Sequence, residues 1–144
     1  MKVKIKKLNG KAIIPTKGSK KAAGFDLYAC EEQSVLIRPH ETKMINTGIA
    51  IQPPKGYFGA IFARSGLATR FGLRPANCCG VCDEDYTGEY IVALHNDTEE
   101  PQTISPKDRI AQVVFLPYID VIFCEVDELK NTERGSEGFG STGR

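Results

Sequence analysis

The sequence predicts an all-β fold, a sandwich or jelly roll, carrying a glycine-rich C-terminal tail. Three observations lead there. No window of helical length has an apolar repeat near 3.6 residues. Short runs rich in Val, Ile, Phe and Tyr recur along the chain instead. The breaks between them are turn chemistry: "NG" at 9–10, "PTKGS", "PPKG", "YTGE", "NDTEEP" and "SPKD". Many short strands with frequent turns suit packed antiparallel sheets.

In chain order, Lys2–Leu8 alternates, with Val3 and Ile5 on one face. A signal peptide would show a continuous apolar core there, so no export is expected and the protein is placed in the cytoplasm, or the nucleus for a eukaryotic or viral source. Phe25–Cys30, Val35–Arg38, Lys43–Ile51 and Tyr57–Ala63 read as the next strands. "SGLATRFG" (65–72) has room for one helical turn. Gly80–Cys82 and Glu89–His95 flank "YTGE", which reads as a hairpin tip, and Ile110–Tyr118 and Val121–Val126 complete the strands. No linker, repeat or second domain interrupts the chain before the tail, so 1–132 reads as one domain and 133–144 as a flexible strip.

A chain of 144 residues with 41% hydrophobic and 26% charged residues suits one soluble globular core. A net charge of +1 disfavours non-specific nucleic-acid binding, so an anion must be held by a local cluster. No apolar run approaches the roughly 18 residues a spanning helix needs. Cys30, Cys78, Cys79, Cys82 and Cys124 form no regular framework. "NCCGVC" suggests zinc, but no second cysteine pair exists and His40 and His95 stand alone. The cysteines therefore read as small buried apolar side chains in a reducing compartment.

Four stretches and the tail carry more glycine and polar residues than packing explains. In "AAGFDLYA" (22–29), Asp26 interrupts an apolar run. In "ARSGLA" (63–68), Arg64, Ser65 and Gly66 follow a strand and offer a guanidinium, a hydroxyl and backbone N–H groups, as an anion would need and as an ordinary turn also has. In "GVCDEDYTGEYIVALHN" (80–96), Asp83 sits where a strand leaves the sheet, placed either for general-base work or for an acidic turn, with Tyr86 beside it as a platform for a ring. In "DRIAQVVF" (108–115), Gln112 shares a strand face with Ile110 and Val114 and needs a partner, internal or external. Arg109 falls on the opposite face by the same count. The tail "ERGSEGFGSTGR" (133–144) lacks the lysine of a P-loop, and Ser65 lacks the glycine of a hydrolase elbow.

These stretches, in this order, resemble the five motifs of the homotrimeric dUTPase family over nearly the whole chain. "RSGLA", "GVCDEDYTG", "RIAQ" and "RGSEGFGSTG" carry the resemblance most specifically. It implies a β jelly roll that hydrolyses dUTP to dUMP and pyrophosphate with Mg²⁺, keeping uracil out of DNA and supplying dUMP for thymidylate synthesis. Asp83 matches the aspartate that activates the water attacking the α-phosphorus. Asp26 matches an aspartate that reaches the metal through water. Arg64, Ser65, Gly66 and Gln112 match phosphate contacts. Asn77 and Tyr86 match residues near the base and against the deoxyribose. In the tail, Phe139 matches a phenylalanine stacked on uracil, while Arg134, Gly140, Ser141 and Thr142 match the segment that reaches the γ-phosphate as a lid. The resemblance also implies a homotrimer with sites shared between subunits.

The chain departs from the family pattern at three places. Cys82 stands where an aliphatic residue is usual, "CC" precedes the third motif, and Glu137 replaces a common glycine. Two other readings use the same fold: dCTP deamination, and a non-catalytic nucleotide-binding module. The first needs a site that accepts a 4-amino group, and the second would be natural had Asp83 or Phe139 been lost.

Overall fold

The computed structural model describes residues 1–138. The architecture is all-β and jelly-roll-like, with one short helix. A four-stranded antiparallel sheet runs in the order β2 (Phe25–Tyr28), β11 (Arg109–Pro117), β6 (Tyr57–Phe62), β8 (Cys79–Cys82). A three-stranded sheet runs β4 (Thr42–Ile45), β9 (Val92–Asn96), β7 (Leu73–Pro75). Two strand pairs complete the layers: β1 (Lys4–Lys7) with β5 (Ile49–Gln52), and β3 (Val35–Ile37) with β10 (Gln102–Ile104). Their inward faces meet in one core around Leu27, Ile37, Ile45, Leu94, Ile104 and Ile110, each essentially inaccessible.

The strands differ from the sequence expectation at several places. Lys43–Ile51 is two strands, because Gly48 turns the chain at φ 67°. An added Cβ there would lie 2.7 Å from Cys30 Sγ, so the corner is both left-handed and tight. The stretch after Ala63 holds more than one turn: α1 spans Ser65–Phe71 and ends on Gly72 at φ 61°. β7 and β10 were hidden in polar sequence. "YTGE" does not cap a hairpin, since β8 pairs with β6 while β9 pairs with β4 and β7. The chain crosses from one sheet to the other between Cys82 and Val92.

Val121–Val126 is not a strand. After β11 the last tie is Tyr118 N–H to Gly56 O at 3.1 Å. Beyond it Ile119, Ile122 and Phe123 are at least 85% exposed, so this apolar run has no cover among the described residues. The cysteines are not the buried side chains expected: only Cys82 is buried, Cys30 and Cys79 are half-buried, and Cys78 and Cys124 are exposed. No helix among the described residues is long and apolar enough to cross a membrane.

Candidate active site

The first cluster forms where β2, β11 and the end of β6 lie side by side. Asp26 and Gln112 are cross-strand partners, and Gln112 also faces Phe62. Arg64 follows directly after β6, and its Nε donates to Asp26 Oδ1 at 2.7 Å. The Asp26 side chain is only 12% exposed and that of Arg64 25%, so the pair is shielded enough to be structurally meaningful. Arg64 Nη1 also donates to Arg109 O at 3.3 Å. Ser65 and Gly66 are exposed at the start of α1, beside this cluster in sequence.

Arg109 belongs here too, although its count along the strand put it on the opposite face. The β2–β11 register shifts between Arg109 and Ala111, so one residue of β11 is left over. Such a bulge reverses the alternation of sides. Ile110 and Ala111 are consequently both buried, and Arg109 Nη1 reaches Asp26 Oδ2 at 3.3 Å. The signal in the sequence was the neighbouring apolar pair, which a regular half-buried strand would not have.

Gln112 finds an internal partner. Its Nε2 donates to Ala63 O at 2.9 Å, which ties β11 to the residue before Arg64. Its Oε1 sits over Gly24, where an added Cβ would be 2.5 Å away. Gly24 therefore leaves the space in which the amide turns toward the cluster.

A second cluster surrounds the segment between β8 and β9. Asn77, Gly80, Tyr86 and Tyr90 help line a cavity of about 310 Å³. Gly80 lets the Asn77 amide approach: an added Cβ would lie 3.3 Å from Asn77 Nδ2 and 3.2 Å from Ile61 Cβ. Tyr86 is held from three sides. Its hydroxyl donates to Glu89 O at 2.8 Å, its ring lies 6.2 Å from that of Tyr90 at 30°, and Gly88 closes against it.

Asp83 opens the turn closed by Tyr86 N–H to Asp83 O at 3.2 Å, and its side chain is exposed. It lines a different, open cavity of about 1040 Å³ with Lys2, Lys4, Lys55, Glu84 and Tyr118, and Val81 borders both cavities. The turn is clasped at Glu84. Its Oε2 accepts from Gly56 N–H at 2.6 Å and from Tyr118 Oη at 2.8 Å. The Gly56 N–H, then the Tyr118 hydroxyl, hold the Glu84 carboxyl below its ordinary range.

The two clusters do not meet within one chain. Asp26 lies in a register row that runs through Gln112 and Phe62 to Cys79, while Asp83 lies beyond the other end of β8. At ordinary strand spacings that separates Asp26 and Asp83 by roughly 20 Å. Arg134 stands apart from both, its Nε donating to Glu137 O at 3.0 Å within its own turn. Phe139, Gly140, Ser141 and Thr142 lie outside the described residues.

The comparisons give this arrangement a family. Residues 10–143 match the dUTPase family model. The deoxyuridine 5'-triphosphate nucleotidohydrolase of Nautilia profundicola is 48% identical, with 100% of each chain covered. That of Syntrophotalea carbinolica is 42% identical over 98% of this chain and 96% of its own. Among solved structures, the Staphylococcus bacteriophage 80alpha dUTPase with dUPNHPP superposes with a TM-score of 0.91 at 27% identity, covering 99% of both chains. With motifs, fold and full-length relatives in agreement, the chain belongs to the dUTPase family, the dUTP diphosphatases.

Proposed function

We propose that this protein hydrolyses dUTP to dUMP and pyrophosphate, in a homotrimer whose sites combine residues from different subunits. One observation carries the reading: an arginine-rich cluster and a small base-sized cavity sit at far corners of one sheet, each suited to one end of a nucleotide. Neither corner alone binds the whole substrate, and a second copy brings one corner against the other. The bare apolar surface of Ile119, Ile122 and Phe123 supports the same conclusion, since a neighbour would cover it.

In this mechanism Asp83 takes the proton from the water that attacks the α-phosphorus in line with the leaving pyrophosphate. Its exposed carboxylate is free to meet a nucleotide carried by a neighbouring subunit. Arg64 and Gln112, with Ser65 and Gly66, grip the phosphates, and Arg134 joins them from the tail. Arg64 offsets charge that builds on the leaving group. Asn77 and the backbone of residues 80–90 read uracil, rejecting cytosine by leaving polar groups unpaired. Tyr86 packs the deoxyribose and leaves no room for a 2′-hydroxyl. Phe139 to Thr142 would close over the nucleotide, with residues 133–144 as the lid of a domain formed by 1–132.

The donor set fits a metal that arrives with the phosphates. Among the described residues no three His, Cys, Asp or Glu side chains gather to hold an ion. Asp26 already accepts from two guanidiniums, and its remaining lone pairs suit a contact through water. When bound, Mg²⁺ supplies charge neutralisation and fixes the phosphate geometry. Removal of dUTP would keep uracil out of DNA and furnish dUMP for thymidylate synthesis. The test is pyrophosphate release from dUTP, dTTP, dCTP and UTP with Mg²⁺ at neutral pH. Release from dUTP alone is expected; binding of dUTP without release from any of them would replace the enzyme with a binding module.

A further inference from the structure

Tyr90 is 1% exposed, and among the described residues its buried hydroxyl has no oxygen or nitrogen to bond to, only the weakly hydrogen-bonding Cys82 thiol beside it. Such a group costs stability, so its position calls for a reason. Its backbone is fixed on both sides: its N–H donates to Ile49 O at 2.9 Å, and its carbonyl accepts from Thr47 Oγ1. The ring then reaches under the second cluster and touches three things. One face meets the Tyr86 ring. The hydroxyl fills the notch over Gly59, where an added Cβ would be 2.8 Å from Tyr90 Oη. Cys82 reaches the same notch, its Cβ 3.4 Å from that point.

We propose that Tyr90 is a positioning residue for specificity: it props the Tyr86 ring that excludes a 2′-hydroxyl and, through Cys82, steadies the start of the Asp83 turn. The inference rests on the hydrolase reading above. Cys82 is one of the chain's departures from the family pattern, and its small side chain leaves the room that Tyr90 occupies. Both groups are buried, and burial pushes the Cys82 thiol up to about 11, so neither is placed to ionise near neutrality. The role is mechanical. A tyrosine of fixed backbone, wedged on a glycine, transmits its position directly to Tyr86, whose hydroxyl is tied at the other end to Glu89 O.

The experiment compares kcat/KM for dUTP and UTP in wild type, Tyr90→Leu, Gly59→Ala and Gly59→Ala/Tyr90→Phe, with folding followed by thermal melting. Tyr90→Leu removes the prop, and Gly59→Ala pushes the intact ring from behind. Each should lower the dUTP-over-UTP ratio about tenfold or more, mainly by raising KM for dUTP. Deleting the hydroxyl in the double variant relieves the contact and should restore the ratio. Gly59→Ala retains the whole aromatic side chain in the core, so it remains informative where Tyr90→Leu fails to fold. A ratio unchanged in folded Gly59→Ala, or lowered and not restored by Tyr90→Phe, overturns the inference while wild type still turns over dUTP. A wild type without dUTP turnover overturns the hydrolase reading itself, and this inference with it.

Discussion

Arg64 Nε and Asp26 Oδ1 lie 2.7 Å apart, and Arg109 Nη1 approaches the other oxygen of the same carboxylate at 3.3 Å. One carboxylate therefore orients two guanidiniums before any anion arrives. Prepaying that orientation leaves less side-chain entropy to lose on binding. It also accounts for an acidic residue in a cluster proposed to hold phosphates.

The geometry predicts that Arg64→Lys is not conservative. An ammonium lacks the planar fork that reaches Asp26 Oδ1 and Arg109 O together. With a charged hydrogen bond worth roughly 1.5–3 kcal/mol, kcat/KM for dUTP should fall between about tenfold and a hundredfold. Steady-state kinetics check this. Activity within twofold of wild type would mean that the guanidinium does not grip the phosphates.

Gly24→Ala separates folding from function. The added methyl meets the far end of Gln112, a side chain free to swing away, so the cost in stability should be under about 1 kcal/mol. Swinging away, however, breaks the bond from Gln112 Nε2 to Ala63 O. A melting temperature near wild type with a raised KM for dUTP is the expected outcome. Unchanged kinetics would remove Gln112 from the site.

Asp83→Asn keeps the size of the side chain and removes its basicity. The variant should bind dUTP with near wild-type affinity by calorimetry and lose about 10²–10⁴-fold in kcat. Turnover close to wild type would end the assignment of Asp83 as the base.

Much of this was legible in the chain because alternation and turn residues report local backbone, and the motifs are local too. What failed was non-local. A single leftover residue at Ile110 flipped Arg109 onto the Asp26 side, and no count along one strand reveals a bulge in a ladder. The "YTGE" turn was visible, but the strands flanking it belong to different sheets, a matter of pairing rather than propensity. Val121–Val126 has strand composition without a partner strand among the described residues. Gln112, on an apolar strand face, needs a partner, and its Nε2 finds Ala63 O. Tyr90 gave no signal at all, since a buried tyrosine in a strand-like run looks like ordinary core.

Deleting Gly135–Arg144 tests the lid. The strands end at Pro117, so the shortened chain should keep its fold, and sedimentation should report the same oligomer as the full-length protein. Turnover of dUTP should drop severely, since closure over the nucleotide is lost. Full activity in the deletion would make the tail dispensable.

The clasp beneath Asp83 gives a dependence on pH whose sign is fixed. Glu84 is held below its ordinary 4.5 by the Gly56 N–H first and the Tyr118 hydroxyl second. A carboxyl depressed by folding contributes stability that is present above pH 4.5 and lost as pH falls through its folded value. Tyr118 is the mirror case: its hydroxyl is raised above 10.0 mainly by donating to Glu84, so its contribution holds below that value and is lost as pH rises past it. Glu84→Gln keeps an oxygen for both donors and removes the titration. The stability advantage of wild type over Glu84→Gln, read by thermal melting, should therefore hold above pH 4.5 and shrink as pH falls below it. The shift is small, because solvent screens groups this exposed. At neutral pH the variant's weaker acceptor should loosen the turn and lower kcat more than it raises KM, the outcome expected of an Asp83 that acts on the attacking water rather than on binding. An advantage that stays constant across the acid range would show that the clasp does not carry charge, and an unchanged kcat would detach it from Asp83.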